Sequence, residues 1–265
     1  AFESSSLSKI EIPSNVISIN ESAFHDCKKL IGVGFADGSK LKHIHKNAFS
    51  GSGILEIKLP KSLIKIGEGC FNDCQKLSNV TFDENSSLQI ISRRAFSNCS
   101  IKRFAVPTHV NMIGDYAFYE CKQLQSFINE NDSELVSIGR QALSYTKIEE
   151  FSIPTHVKFI HDECFRHIPS LKTIIVSNEN KHYSYDNDSL LLYKSDESSD
   201  QYEVLVFARK DINEAVIPSS IKEICRFAFE NCTNLIYLEF SKGIEIDFIH
   251  RDVFNDVNIE SLVIP

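Results

Sequence analysis

Apolar residues recur along the chain two positions apart, as at Ile10 and Ile12, Ile57 and Leu59, Phe104 and Val106, and Phe151 and Ile153. That alternation is the period of a β-strand with one buried face. A strand so short cannot bury its apolar face alone, so successive units must stack to form a core. A longer period runs through the same residues. Phenylalanine stands at Phe2, Phe24, Phe49, Phe71, Phe96 and Phe118, Leu143 takes the next slot and Phe165 follows, at intervals that alternate between 22 and 25. Phe229 comes 64 residues later, and Phe254 resumes the series at 25. Pro13, Pro60, Pro107 and Pro154 are spaced by 47, as are Pro218 and Pro265 beyond the interruption.

One unit reads Leu-x-x-Ile-x-Ile-Pro-x-x-Val-x-x-Ile-x-x-x-Ala-Phe-x-x-Cys, as in Ile101, Phe104, Val106, Pro107, Val110, Ile113, Ala117, Phe118 and Cys121. The alternate unit drops the Pro and lengthens the turn after the strand. Eleven strand-bearing units can be placed, starting at Leu7, Leu30, Ile54, Leu77, Ile101, Leu124, Ile148, Leu171, Ile212, Leu235 and Ile259. Each strand pairs in parallel with the next. Pro ends the ladder because it donates no N–H, and Val-x-x-Ile turns two more side chains inward on the return path. Glu21 to Cys27 and Asp115 to Cys121 open with polar residues and then carry Ala, Phe and Cys, which predicts a short helical or 3-10 segment on the convex side. The expectation is an α/β solenoid over residues 1–265 with a parallel sheet on its concave face. The step from Leu171 to Ile212 carries an insertion at about 180–210. There Tyr183 to Tyr193 and Tyr202 to Phe207 flank the polar stretch Lys194 to Gln201 and predict a hairpin with an acidic tip.

The unit resembles the BspA-like leucine-rich repeat, of roughly 23 residues. The Ile-Pro step, the Ala-Phe pair and the Cys three residues after Phe recur together, and the resemblance covers essentially the whole chain. The position where commoner leucine-rich repeats carry Asn holds Asn15 and Asn85 but also Ser62, His109, His156 and Ser220. The resemblance implies a right-handed leucine-rich repeat solenoid that binds protein, in a cell-surface or secreted adhesin or surface antigen whose ligand is a host cell-surface or matrix protein. It also implies a Tyr-containing insertion between repeats. The rival from the same class is an intracellular interaction scaffold; the distant rival is an enzyme.

Composition narrows the partners. With 36 acidic against 28 basic residues the formal net charge is -8, so the chain lacks the positive field that nucleic acid requires. Its longest apolar runs, Leu190 to Tyr193 and Val204 to Ala208, fall far short of the roughly 18 residues of a membrane span, so no membrane insertion is expected. The Ala-Phe opening, with no targeting segment, reads as a fragment. The 10 glycines form no phosphate-cradling motif, and no catalytic motif occurs, so neither cofactor nor enzymatic activity is expected.

Eight Cys invite disulfides or zinc, but Cys27, Cys74, Cys99, Cys121 and Cys232 all lie three residues after the repeat Phe. Stacking puts them in one row as small buried thiols. His43 and His45 suggest a metal, yet His45, His161 and His250 fill a slot that elsewhere holds Gly or Ser and so reads as a surface turn. The Glu149 and Glu150 pair has no partner nucleophile. Sequons at Asn20, Asn79, Asn85, Asn98, Asn131, Asn187 and Asn231 fit a secretory route or simply the crowding of Asn and Ser into turns.

In each strand the residue between the inward positions points outward on the concave sheet. Among these, Lys58, Thr81, Ile128, Ser152, Ile175, Val216 and Glu239, with Tyr237 beside them, form the candidate protein-binding face. Ile128, Ile175 and Val216, with Ser126 and Thr173, would make a β-branched patch that either marks a partner site or reflects the strand preference of β-branched residues.

Overall fold

The computed structural model describes residues 1–129, 132–186 and 189–263; Asn131, Asn187 and Pro265 lie outside the described residues. Eleven long strands occupy the predicted units: Lys9–Ile12, Gly32–Phe35, Glu56–Leu59, Asn79–Phe82, Arg103–Ala105, Ser126–Ile128, Glu150–Ile153, Thr173–Val176, Glu214–Ile217, Tyr237–Phe240 and Ser261–Val263. Most neighbours pair in parallel with inward residues in register, as Ile10 with Val33, Ile57 with Val80, Phe104 with Phe127, Phe151 with Ile174 and Ala215 with Leu238, while no ladder joins Asn79–Phe82 to Arg103–Ala105, Ser126–Ile128 to Glu150–Ile153, or Thr173–Val176 to Glu214–Ile217. Pro13, Pro60, Pro154 and Pro218 each follow the last strand residue directly, where a missing N–H removes no ladder bond.

The return path builds a second parallel sheet. Its strands are two residues long: Ser18–Ile19, His43–Ile44, Lys65–Ile66, Ile90–Ile91, Met112–Ile113, Ser137–Ile138 and Phe159–Ile160. The isoleucine of each is buried. Two residues per turn suffice because the stack, not the single strand, supplies the cooperativity.

Between the sheets runs a column of aromatic rings. Phe2, Phe24, Phe49, Phe71, Phe96 and Phe118 stack with centroids 5.1 to 5.4 Å apart and planes within 15°. Leu143 interrupts the column, and aromatic contact continues through Phe127, Phe151, Phe165 and Phe207.

The turn side corrects one expectation. No helix or 3-10 turn occurs among the described residues, so the parallel-strand solenoid carries hydrogen-bonded turns where helical segments were predicted. Past its first four residues, a helix would bond each N–H to a carbonyl of its own segment. Here alternate N–H groups leave it: Ser22, Phe24 and Asp26 donate to Lys46, Ala48 and Ser50 of the next turn, while Ala23, His25 and Cys27 bond back three residues. Left-handed residues placed four apart make this alternation possible, as Ser22 and Asp26, Arg94 and Asn98, and Tyr116 and Glu120, all with φ of 53 to 58°.

The insertion holds the expected hairpin and one strand more: Leu190–Tyr193 and Val204–Ala208 pair antiparallel around Lys194 to Gln201, with a bulge, and Tyr183–Asp186 pairs on the far side of Leu190–Tyr193 to complete an antiparallel meander. Val204–Ala208 also pairs in parallel with Glu223–Ile224 and so joins the short-strand sheet. Leu191, Val206 and Phe207 pack into the N-terminal core, whereas Leu190, Leu192 and Leu205 pack into the C-terminal one. Buried on both faces, these strands read as nearly continuous apolar runs.

Candidate functional site

The outward positions of the long strands are placed as alternation demands. Lys58, Thr81, Ile175 and Val216 are exposed, and Ile128, Ser152, Tyr237 and Glu239 are half-buried. Lys58 stands beside Thr81, Ser152 beside Ile175, and Val216 beside Glu239. Lys58 Nζ lies 2.6 Å from an Asp83 carboxylate oxygen, and their hydrogen bond raises the lysine pKa and lowers that of the aspartate. Tyr237 donates its hydroxyl hydrogen bond to Glu239 at 2.6 Å, and that bond raises the phenol pKa.

The β-branched patch is not continuous. Ile128 lies beside Ala105, and no strand ladder links Ser126–Ile128 to Glu150–Ile153; instead the Asn129 side-chain amide donates to the Ser152 carbonyl at 3.1 Å. Ile175 and Val216, about half exposed at 47% and 50%, flank the step where the insertion interrupts the ladder. At the N-terminal end Gly32 and Gly34 leave the sheet bare, and a cleft of about 1030 Å³ opens between Lys9, Glu11, Glu56 and Lys58. Sequence reasoning passed over this cleft, although glycine at an outward strand position is the signal for it.

The thiols have a use that their size did not suggest. All eight are free and buried. Cys27, Cys74, Cys99 and Cys121 each donate Sγ–H to the carbonyl of the Phe one turn earlier, at 2.9 to 3.1 Å, and so tie turns together inside the core. Where the same slot holds Thr146, its hydroxyl bonds to the Leu143 carbonyl instead. Burial pushes the Cys74 thiol up to about 11 and Cys121 up to about 12, and raises Cys70, Cys99, Cys164, Cys225 and Cys232. The thiolate is the nucleophilic form of cysteine, and burial disfavours it at these seven sites.

Two buried carboxylates went unremarked in the sequence. Glu163 accepts hydrogen bonds from Arg140, Gln141 and Arg226 at 2.6 to 3.3 Å. Glu230 accepts from the His167 backbone N–H at 2.8 Å. Both join turns on opposite sides of the insertion and hold the turn side closed across it. Asn180 fastens the start of the insertion: its amide donates to the Pro154 and Val157 carbonyls at 2.7 and 3.0 Å, and its oxygen accepts from His182 and Tyr183, both at 2.9 Å. His43 and His45 sit with ring centroids 6.0 Å apart, and the described residues hold no cluster of three or more His, Cys, Asp or Glu suited to a metal. Among them no helix is long and apolar enough to cross a membrane.

A stack of about eleven parallel-strand turns, with apolar columns inside and a broad polar strand face outside, defines a leucine-rich repeat solenoid. The family model for the BspA type Leucine rich repeat region matches in six copies over residues 1–122, 89–190 and 202–265, and the chain belongs to that family. None of the curated proteins matches it. Among solved structures it is similar to a leucine rich cell surface protein from Faecalibacterium prausnitzii, with 22% identity and a TM-score of 0.62 over 89% of this chain and 61% of the other. A leucine-rich repeat protein from Bacteroides ovatus gives 19% identity and a TM-score of 0.53 over 97% and 75%. The pneumococcal vaccine antigen PcpA gives 22% identity and a TM-score of 0.42 over 97% and 58%. The chain thus spans about 60% of the length of PcpA and of the Faecalibacterium protein.

Proposed function

We propose that the chain is the protein-binding part of a cell-surface or secreted adhesin or surface antigen, and that it binds a host cell-surface or matrix protein through its long-strand face. The observation that carries this reading is the face itself. It is a regular array of strands whose outward side chains, from Lys58 and Thr81 to Ile175 and Val216, have no covering layer. Exposed branched aliphatic residues on such an array are what a partner's apolar groups would cover. The Faecalibacterium neighbour is a leucine rich cell surface protein, which agrees with that location. The role is binding without catalysis or cofactor.

Surface plasmon resonance on immobilised fibronectin, laminin and collagen tests the binding claim. The parent chain binds at least one of them, Ile128→Asp and Ile175→Asp weaken that binding about tenfold or more with the fold intact, and Lys58→Glu changes it little. Equal binding by parent and both aspartate variants overturns the assignment of the face. Antibody labelling of intact, unpermeabilised source cells tests the location, and signal only after permeabilisation would favour an intracellular scaffold.

A further inference from the structure

The insertion widens one sheet and not the other. Val204–Ala208 serves as the return strand of its own turn: Ala208 donates to the Ala228 carbonyl just as Phe24 donates to that of Ala48. Tyr183–Asp186 and Leu190–Tyr193 are therefore extra in the short-strand sheet, lying between Ile160, whose N–H donates to the Tyr183 hydroxyl at 2.7 Å, and Val204–Ala208. Among the described residues no strand is added on the long-strand side. Thr173–Val176 consequently pairs with Glu150–Ile153 along one edge and, among the described residues, forms no strand ladder along the other.

The register identifies which groups face the open edge. Thr173 and Ser177 donate to the Glu149 and Ile153 carbonyls at 3.1 and 3.0 Å, so the backbone groups of odd-numbered residues point toward Glu150–Ile153. By strand alternation those of Ile174 and Val176 point the other way. An open edge of this kind is a template for an incoming strand. Along it lies a cleft of about 660 Å³ whose lining includes Lys172, Ile175, Tyr202 and Arg209. Among the described residues the lining contains no carboxylate, although the chain as a whole carries a net charge of -8. Arg209 shares its charge with Asp211 at 2.6 Å, which leaves Lys172 as the cation without a salt bridge among the described lining residues.

We propose that the Thr173–Val176 edge accepts an extended, acidic segment of the protein partner as an added β-strand. Backbone hydrogen bonds to Ile174 and Val176 would supply affinity, the exposed Ile175 side chain would contact the partner's alternate apolar residues, and Lys172 would select for acidic flanks. This inference rests on the protein-binding reading above and names the mode of binding.

Fluorescence anisotropy with a fluorescein-labelled Glu-Val-Thr-Val-Thr-Val-Glu peptide is the test. Saturable binding is expected, with a loss of about tenfold or more when alternate peptide nitrogens are methylated on the pairing edge. Val176→Pro removes an edge donor without touching the ladder to Glu150–Ile153 and should weaken binding by a similar factor, its fold checked by circular dichroism. Lys172→Glu, at an exposed side chain, should weaken the Glu-flanked peptide and favour one flanked by Lys. Equal binding of methylated and unmethylated peptides, or no saturable binding by the parent, overturns the proposal. Concentration-dependent dimerisation that Val176→Pro abolishes would also overturn it, since the edge would then serve a second copy of the chain. Should the peptide fail while Ile128→Asp still abolishes matrix-protein binding, the edge is wrong and the face stands; the reverse pattern sinks the face alone.

Discussion

Phe118 is fully buried with rings stacked on one side and edge-on on two others, whereas Phe2 is 44% exposed at the end of the same column. Phe118→Ala should therefore cost about 3 to 5 kcal/mol and Phe2→Ala far less, as urea melts will show; equal small losses would contradict the stacked core. Lys210 makes the opposite kind of contribution. Its ammonium lies 4.1 Å from the Phe207 ring centroid in a buried site, and burial lowers its pKa from 10.5 to about 8. A depressed lysine pKa means that the unfolded chain holds the proton between about pH 8 and 10.5 while the folded chain has released it, so this group's contribution rises with pH in that window. Below pH 8 the folded state carries the full penalty, about 3 kcal/mol by linkage. The buried thiols act in the other direction, because their raised pKa values withdraw stability as pH climbs past their ordinary value near 9. The difference between parent and Lys210→Met separates the two effects. The variant should be more stable at pH 7 with its advantage shrinking toward pH 10, and a constant difference would refute the assignment.

Among the elements, the strands were legible because one-sided burial enforces a strict period. Phe, Pro and Ile recur at fixed intervals, and each series marks one column of the structure. The turn side was less legible. A polar start followed by Ala, Phe and Cys suits a helix locally, yet the N–H groups of Ser22, Phe24 and Asp26 are claimed by the neighbouring turn, a competition that single-turn patterns do not reveal. Left-handed backbone is carried there by Arg94, Tyr116 and Tyr145 as well as by Asn and Gly, so the usual residue signal was absent. The meander hid its role because Ala208, not Phe, holds the backbone slot of the repeat; the remaining clue is Phe207, which stands 22 residues before Phe229. The tip from Ser195 to Gln201 is largely exposed, whereas the flanking strands are mostly buried between two cores. Limited proteolysis should cut first within that tip, and the two fragments should stay associated through the Glu163 and Glu230 clamps in gel filtration. First cleavage elsewhere, or separation of the fragments, would count against the meander's place in the fold.

For the whole molecule, the long-strand ladder lapses after Asn79–Phe82, Ser126–Ile128 and Thr173–Val176, and at the last of these the insertion adds strands to the other sheet alone. Of the candidate face, the outward row was legible from strand alternation, but alternation does not separate the exposed Lys58, Thr81, Ile175 and Val216 from the half-buried Ile128, Ser152, Tyr237 and Glu239. Its continuity was not, because continuity depends on how the insertion is accommodated. The separation of Ile175 from Val216 is a property of stacked sheets of unequal strand number, which no local pattern encodes. An opened ladder at Thr173–Val176, beside exposed Ile175, is the feature on which both the face and its mode of binding turn. Residue-resolved amide hydrogen exchange by NMR reads it directly. The account predicts alternation within one strand, with slow exchange at Thr173 and Ile175, whose N–H groups face Glu150–Ile153, and markedly faster exchange at Ile174 and Val176. Uniformly slow exchange across these four amides would mean that the edge is already paired, and would contradict the account.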